Sequence, residues 1–376
     1  MSTKGLEGVV AAQTRISKVM GEEGRLIYGG YEIDDLARNA SFEEVCHLLW
    51  YGELPNRSDL ERLRAELLQG ASVDERVLGV VRAAPVDAHP MATLRTAVSA
   101  LAFTDPEAED MSAGANQRKA IRLTGQAITL TAALDRIRKG RDPIAPREDL
   151  GLAANLLYML NGEEPDPDAE RIIDAALTLH AEHGLNASTF AARVTAATLA
   201  DMHSAITSAI GTLKGPLHGG ANERVMQMLL DIDRPEKAEA WVTAALGRGE
   251  KIMGFGHRVY RALDPRAPIL KELAGRLSDR GGETRWLDIS DQVQQVMARE
   301  MQARGKKIYP NVDFFSASVY YTLGIEMDLF TNVFACARMS GWTAHVIEQW
   351  QDNRLIRPRA EYNGPERREV VPIETR

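Results

Sequence analysis

The sequence predicts a protein that is almost entirely α-helical, with short strands only near its N-terminus. From Tyr31 onward, apolar residues recur at helical spacing in one segment after another. Several of these segments start with Ser followed three residues later by Glu, which is the pattern of a capping box, or they stop at Gly or Pro. Strand-like stretches do not alternate with helices, so no βαβ arrangement is indicated.

The elements follow in chain order. The segment RLIYGG at 25–30 predicts a short strand and a turn. A capping box from Ser41 to Glu44 predicts the start of a helix, and the same signal at Ser58 and Ser72 predicts two more. Later helices are predicted over 90–103, 113–139, 147–160, 171–184, 187–199, 201–213, 221–231, 235–247, 266–279, 286–303 and 331–351.

Composition restricts the class of protein. The net charge of −8 disfavours nucleic acid as a partner, because phosphate binding needs a basic surface. With only Cys46 and Cys336, no disulfide framework is expected, which favours the reducing cytoplasm. The start MSTKGLEG has no hydrophobic signal core, and no apolar run approaches the length that spans a membrane. We therefore expect a cytoplasmic globular protein with no membrane partner.

Three segments between 214 and 313 carry the chemistry. GPLHGGANE contains His218, GFGHRVYRALDPRAP contains His257, and KKIYPNVDFFSASVYY contains Asp313. Each approaches its polar residue through Gly or Pro and leads into a helical pattern. Such turns place side chains near helix N-termini, where backbone N–H groups face a ligand. Two histidines, a carboxylate and nearby arginines suit acid–base chemistry on an anionic substrate.

These segments, together with HAEHGLNAST and ARMSGWTAHVIEQ, resemble the citrate synthase family. The resemblance runs from GLEGVVAAQTRIS to GPERREVVPIETR, and several long segments in fixed order are far more specific than one short motif. It implies a two-domain helical fold. Residues 1–218 and 325–376 would form a large domain and 219–324 a smaller inserted domain, with the active site in the cleft between them.

The resemblance also implies an activity, that of an acyltransferase of the citrate (Si)-synthase type. Acetyl-CoA would be condensed with oxaloacetate and citryl-CoA hydrolysed to citrate and CoA, the entry reaction of the tricarboxylic acid cycle, with no permanently bound cofactor. Asp313 would remove a proton from the acetyl methyl group. Since aspartate is a weak base, the enolate oxygen must be stabilised at the same time, which is the role implied for His218. His257 would donate to the ketone oxygen of oxaloacetate.

The two carboxylates of oxaloacetate call for arginines, which bind carboxylates through two parallel hydrogen bonds. The resemblance assigns this role to Arg266, Arg338 and Arg357, with His183 contacting the same substrate. Arg357 matches an arginine that family dimers contribute from the partner subunit, so a homodimer is expected. His180 lies three residues before His183, on the same face of the predicted 171–184 helix, and is expected behind the site.

Coenzyme A needs positive charge for its phosphates and a slot for its adenine. Arg261 matches an arginine that contacts phosphate in the family. The backbone of Gly254, Phe255 and Gly256 is expected to face the adenine, and Lys306 is close enough in sequence to Asp313 to assist. GFG alone is a weak signal, because it lacks the spacing and the βαβ context of a dinucleotide fold.

Two other classes of protein, and a structural role for Asp313, fit parts of the sequence. Eight histidines suggest a metallohydrolase, but their spacing does not match HExxH and no Cys or acidic residue completes a ligand set, so no metal is predicted. A non-catalytic helical scaffold explains the helices but not the Gly–His turns. For Asp313, a purely structural role is available, since an aspartate after Asn311 can cap the following helix.

The closest alternative lies within the family: 2-methylcitrate synthase, which uses propionyl-CoA. Two segments resemble the short citrate synthases more than this alternative: KIMGFGHRVYRALDPRAP and YPNVDFFSASVYY. The residues that carry this preference are Arg258, Tyr309, Val312 and Phe314. The C-terminal segment EYNGPERREVVPIETR does not distinguish the two enzymes.

Overall fold

The helical class predicted from the sequence is confirmed. The computed structural model describes residues 4–6, 8–281 and 284–376. The α-helices within these ranges are α1 Ile33–Asn39, α2 Phe42–Tyr51, α3 Arg57–Gly70, α4 Glu75–Arg82, α5 Pro90–Leu101, α6 Ala113–Arg138, α7 Leu152–Asn161, α8 Pro167–His180, α9 Ala187–Ala196, α10 Met202–Leu213, α11 Ala221–Ile232, α12 Ala238–Gly247, α13 Arg266–Gly281, α14 Arg285–Ala303, α15 Val312–Thr322 and α16 Phe330–Gln351.

A small antiparallel sheet near the N-terminus confirms the predicted strands. Its order is β1 Ser17–Met20, β2 Arg25–Tyr28 and β3 Tyr31–Glu32. The sheet packs onto the segment that follows α8, because the Tyr28 hydroxyl donates to the backbone oxygen of Glu182 at 2.6 Å.

One of the three predicted capping boxes is present and two are wrong. At Ser41 both reciprocal hydrogen bonds of the box form. The next two helices begin at other residues than predicted. Asn56 caps α3, so Ser58 lies inside that helix, and Asp74 caps α4, so Ser72 lies before that helix. Asn and Asp cap helices as well as Ser does, and here the earlier Asn and the later Asp take the position.

The predicted helix over 171–184 ends early, at His180. Beyond it, the backbone of Glu182 bonds to Tyr28, and the N–H of Gly184 donates to the Ser17 hydroxyl at 3.2 Å. These contacts with the sheet replace the helical hydrogen bonds. The prediction that His180 and His183 share a helix face is therefore wrong, because His183 lies beyond the helix.

The helix predicted over 147–160 starts only at Leu152. The Asn155 amide donates to the backbone oxygens of Arg147 and Leu150 at 2.9 and 2.8 Å, which holds the preceding residues in an irregular turn.

Helix α16 forms the centre of the fold. It packs against α2, α6, α8, α9 and α10, and its side chains are buried almost without interruption from Phe330 to Val346. The segment after α8 crosses α16 at Gly341, where the lack of a side chain lets the two backbones approach closely. A Cβ there would lie 2.4 Å from the backbone oxygen of Ala181, so only glycine permits this crossing.

Helices α11 to α15 pack largely on one another, with α15 between α11 and α13. The division into domains at 218 and 325 stays a prediction. In the described part of the chain, none of the helices combines the length and apolarity needed to cross a bilayer.

Candidate active site

His218 lies in the turn between α10 and α11, as predicted. Its Nε2 is 2.8 Å from the Ser188 hydroxyl oxygen and 3.3 Å from the Ser188 backbone nitrogen. A backbone N–H can only donate, so Nε2 is the acceptor and the ring proton sits on Nδ1. Burial, and then the charge of Arg338, lower the pKa of His218 to about 4. The result is a neutral imidazole with one N–H left to donate.

His257 is held in the opposite tautomer. Its Nδ1 accepts from the backbone N–H groups of Val259 and Tyr260, at 3.0 and 3.1 Å. Its proton is therefore on Nε2. Burial lowers the pKa of His257 to about 4, and the charge of Arg266 acts in the same direction. His257 is thus a second neutral donor.

His183 lies beside His257, with ring centroids 5.2 Å apart. Its Nε2 is 3.2 Å from the hydroxyl of Tyr260. Burial lowers the pKa of His183 well below its ordinary value, so it too is neutral. Tyr260, three residues after His257, connects the two histidines, and nothing in the sequence distinguished it.

Asp313 is free of a capping role. The side chain of Asn311 caps α15 by accepting from the backbone N–H of Asp313 at 3.0 Å. The alternative that Asp313 itself caps the helix is therefore wrong. In the described part of the chain, its carboxylate accepts no hydrogen bond. Burial raises the pKa of Asp313 to about 7, although Arg266 opposes the shift. A carboxylate with such a pKa is a much better base than an ordinary aspartate.

Two buried arginines face the same space. Arg266 is paired with Asp264 through Nε and Nη2, at 2.9 and 2.8 Å. Arg338 donates from Nε to the backbone oxygen of His180 at 2.6 Å and lies over the Phe334 ring.

Arg338 lacks an ionic partner, since no described carboxylate lies within ion-pair distance of it. It is 1% exposed, and burial lowers its pKa to about 10, so it stays charged at neutral pH. A buried cation that makes no direct ion pair favours the binding of an anion.

A buried polar network fixes the backbone that carries His183. The Glu182 carboxylate accepts from the Ser17 hydroxyl at 2.9 Å and from His345 Nε2 at 3.1 Å. Arg193 donates to His345 Nδ1 at 3.0 Å, which leaves the His345 proton on Nε2 and directed at Glu182. His180 is fully buried behind this segment, where the sequence placed it.

The GFG segment is tied to the segment that precedes Asp313. Gly254 and Gly256 have φ of +77° and +85°. A Cβ on Gly254 would lie 2.8 Å from the Phe314 ring, so glycine is needed for this approach. The Asn311 N–H donates to the Gly254 oxygen at 2.9 Å, and the Gly256 N–H donates to the Tyr309 oxygen at 2.8 Å. The role of Gly254, Phe255 and Gly256 toward adenine stays a prediction.

The structure gathers some of the predicted residues and not others. The charges of Arg266 and Arg338 act on Asp313 and the nearby histidines, so one site contains His183, His218, His257, Arg266, Asp313 and Arg338. Outside it lie three exposed cations, Arg261, Lys306 and Arg357. No described hydrogen bond joins Arg357 to the six gathered residues. Among the described residues, no group of three or more His, Cys, Asp or Glu side chains is arranged to hold a metal ion.

Comparisons with known proteins find similarity along most of the chain. A family model described as "Citrate synthase, C-terminal domain" matches residues 5–359. The chain is 53% identical over 376 residues to "Citrate synthase 2" of Bacillus subtilis, covering 100% of this chain and 99% of that protein. It is 45% identical over 378 residues to "2-methylcitrate synthase 1" of Corynebacterium glutamicum, covering 99% and 98%.

A solved structure is similar over the full length. It is the ternary complex of carboxymethyl coenzyme A and oxaloacetate with citrate synthase from the thermophilic archaeon Thermoplasma acidophilum. The TM-score is 0.94 at 34% identity, with 100% of both chains covered.

Proposed function

The chain belongs to the citrate synthase family as a transferase of the citrate (Si)-synthase type, and we propose that it converts acetyl-CoA and oxaloacetate to citrate and CoA. One observation carries the proposal: a carboxyl group with a pKa of about 7 shares a site with neutral histidines, and His218 and His257 are each held in a fixed tautomer. Release of a thiol that requires both substrates, with citrate as the product, tests it.

Oxaloacetate binds first to the positive side of the site in this proposal. Arg338 supplies a guanidinium that makes no direct ion pair with a described carboxylate, and Arg266 supplies a second guanidinium; together they orient the dicarboxylate. His183 contacts the same substrate, and Arg357 of the partner subunit completes the charge balance. His257 Nε2–H donates to the ketone oxygen and so makes its carbon more electrophilic.

Enolisation follows at the acetyl group. Asp313 takes a proton from the methyl carbon while His218 Nδ1–H donates to the thioester oxygen, where negative charge develops. The enolate carbon then bonds to the ketone carbon of oxaloacetate, and the resulting alkoxide takes its proton from His257. Water finally cleaves the thioester of citryl-CoA, which gives citrate and CoA. Both histidines act as neutral donors, which their lowered pKa values support.

We place the reaction in a cleft between a large domain of residues 1–218 and 325–376 and a small domain of residues 219–324. Its residues come from both: His183 and Arg338 from the first, and His257, Arg266 and Asp313 from the second. Closure around the substrates would exclude water during enolisation. Arg261 and Lys306, both exposed, are available at the rim for the phosphates of coenzyme A.

We place the enzyme in the cytoplasm. The thiols of Cys46 and Cys336 are both free and buried, which suits a reducing compartment.

We expect acetyl-CoA to be preferred over propionyl-CoA, with kcat/KM for propionyl-CoA lower by roughly 10–200-fold. An additional methylene in an apolar pocket changes binding by only about 1–3 kcal/mol, so discrimination is incomplete. Initial rates with the two thioesters at fixed, saturating oxaloacetate measure the ratio. A higher kcat/KM for propionyl-CoA would identify 2-methylcitrate synthase, the alternative that the Corynebacterium glutamicum relative represents.

We also expect a homodimer in which Arg357 serves the site of the partner subunit. Mixing inactive Arg357→Ala and Asp313→Asn proteins should then restore activity, because one site of each heterodimer carries both defects and the other carries neither. Subunit exchange is followed by mass spectrometry of the mixed dimers. Proven exchange without recovered activity would place Arg357 in the site of its own subunit. Unmixed proteins incubated in the same way are the control.

A further inference from the structure

Asp264 connects the starts of two helices that carry site residues. It lies just before α13 and is 1% exposed. Its Oδ1 accepts from the Arg266 backbone nitrogen at 3.1 Å and from Nε at 2.9 Å. Its Oδ2 accepts from Arg266 Nη2 at 2.8 Å and from the backbone nitrogen of Val312, the first residue of α15, at 3.2 Å. One carboxylate thus holds both Arg266 and the residue next to Asp313.

The pairing fixes how Arg266 presents its donors. Of the five guanidinium N–H groups, the Nε–H and one Nη2–H point at Asp264, which sets the plane of the group. The Nη1 side remains for a substrate carboxylate. Burial opposes the charge of Arg266, but attraction to Asp264 outweighs it and raises the Arg266 pKa. Asp264 therefore keeps a buried cation both charged and oriented.

The contact with Val312 fixes Asp313. The first amides of a helix have no partner within the helix. In α15, Asn311 satisfies the N–H of Asp313, and Asp264 satisfies the N–H of Val312. Two consecutive amides are therefore held by side chains from outside the helix. Displacement of a catalytic group by about 1 Å can cost about 10²-fold in rate.

We propose that Asp264 is a positioning residue that sets Arg266 for the substrate carboxylate and Asp313 for the acetyl methyl group. The inference rests on the proposed function, whose site it deepens. Asp264 acts through these two residues and does not itself contact the substrates.

Three charged side chains face Asp313: Arg266 from α13, Arg338 from α16 and Asp264 from the loop before α13. Tyr320, two turns further along α15, is neutral, because burial raises its pKa. Replacing Asp264 with Asn removes the one negative charge and leaves Arg266 uncompensated. The lost negative charge lowers the pKa of Asp313, because the charge of Arg266 is then no longer offset. This pKa shift reports the lost charge, whereas the binding of oxaloacetate reports how Asp264 positions Arg266.

The test compares Asp264→Asn with the wild type in kcat, both KM values and the pH profile of kcat/KM. We expect kcat/KM for oxaloacetate to fall by about 10²-fold. KM for oxaloacetate should rise, KM for acetyl-CoA should stay the same, and the acidic limb should move to lower pH. Asp264→Glu retains the charge but displaces the carboxylate by one methylene. In this variant the acidic limb of the pH profile should return toward its wild-type position, while kcat/KM for oxaloacetate stays low.

The chain offers a matched control in Asp74→Asn. Asp74 makes the same contacts with Arg76 that Asp264 makes with Arg266, at 2.8, 2.9 and 2.9 Å, but on the surface at the start of α4. The kinetics and pH profile of Asp74→Asn should match the wild type. A folded Asp264→Asn enzyme with wild-type KM for oxaloacetate and an unmoved acidic limb would overturn the inference.

A second variant separates the two contacts and serves if Asp264→Asn fails to fold. Val312→Pro removes the N–H that donates to Asp264 and keeps an apolar side chain of three carbons at this buried position. Proline is well tolerated at the first position of a helix, and Asn311 already has the extended backbone required before proline, with ψ of −177°. We expect kcat to fall by about tenfold, a factor that corresponds to the free energy of one hydrogen bond to a charged group. KM for oxaloacetate should change little. An unchanged kcat would refute the contact with α15.

Calorimetric titration with oxaloacetate alone separates this inference from the proposed function. Weaker binding to Asp264→Asn than to the wild type supports the role of Asp264 in setting Arg266, and equal binding refutes it. Absence of thiol release by the wild type would refute the proposed function without altering either result.

Discussion

Replacing Asp313 with asparagine should lower kcat by about 10²–10⁴-fold and leave the fold intact. Asparagine has nearly the shape of aspartate but cannot take a proton from carbon. No described residue donates a hydrogen bond to the Asp313 carboxylate, so no neighbouring donor loses its partner in this variant.

Stability should not suffer either. The pKa of Asp313 is raised in the folded protein to about 7, so ionisation costs the folded state stability as pH rises from the unfolded value toward 7. The Asp313→Asn variant avoids this cost and should melt at the same or a higher temperature at neutral pH. Thiol release measures activity and circular dichroism the melting temperature, with Asp231→Asn on the exposed side of α11 as control. A folded variant with near-native turnover would remove Asp313 from the mechanism.

Removing His218 should lower kcat by about 10²–10³-fold, the usual effect of losing one donor to a developing oxyanion. His218→Ala takes away the Nδ1–H that the contact with Ser188 leaves free. His257→Ala should cost a similar factor for a different reason, because it removes the donor to the ketone. Both variants should retain their helical circular dichroism. His47→Ala, whose side chain bonds only to the backbone of Glu53 among the described residues, is the matched control.

The two histidine variants can be told apart by the step they block. In deuterated water, with a dicarboxylate that lacks a ketone in place of oxaloacetate, only enolisation exchanges the acetyl methyl protons. We expect His257→Ala to retain this exchange and His218→Ala to lose it. Equal exchange in the two variants would contradict the separate roles assigned to them.

The fold class could be predicted from local sequence patterns. Some helix boundaries could not, because contacts with residues distant in sequence determine them. Apolar periodicity was sufficient for most helices. It could not show that α8 ends at His180, because the backbone after it bonds to Tyr28, about 150 positions earlier. The capping errors at Ser58 and Ser72 have a local cause, since Asn56 and Asp74 compete for the same role with equal strength.

Site residues could be predicted where Gly or Pro turns flank them in the sequence. They could not be predicted where their role depends on a contact with a residue distant in sequence. Gly and Pro around His218, His257 and Asp313 indicate these segments in the sequence itself. Ser188 and Tyr260 gave no such sign, because their importance arises from what lies opposite them. Asp264 carried a weak sign in its Asp-x-Arg spacing, but Asp74 has the same spacing on the surface, and only burial separates the two.

Helix α16, buried along nearly all its length, constrains how this protein can diverge. From Phe330 to Val346 the helix has no solvent-facing side, so a larger side chain cannot enter there without displacing its neighbours, and Gly341 admits no side chain at all. Mutational freedom near the site therefore lies elsewhere, at exposed positions such as Leu217 and Val259. Relatives that accept different acyl groups should differ in these loops and keep α16. The same loops are the places to build a library for altered acyl-CoA selectivity.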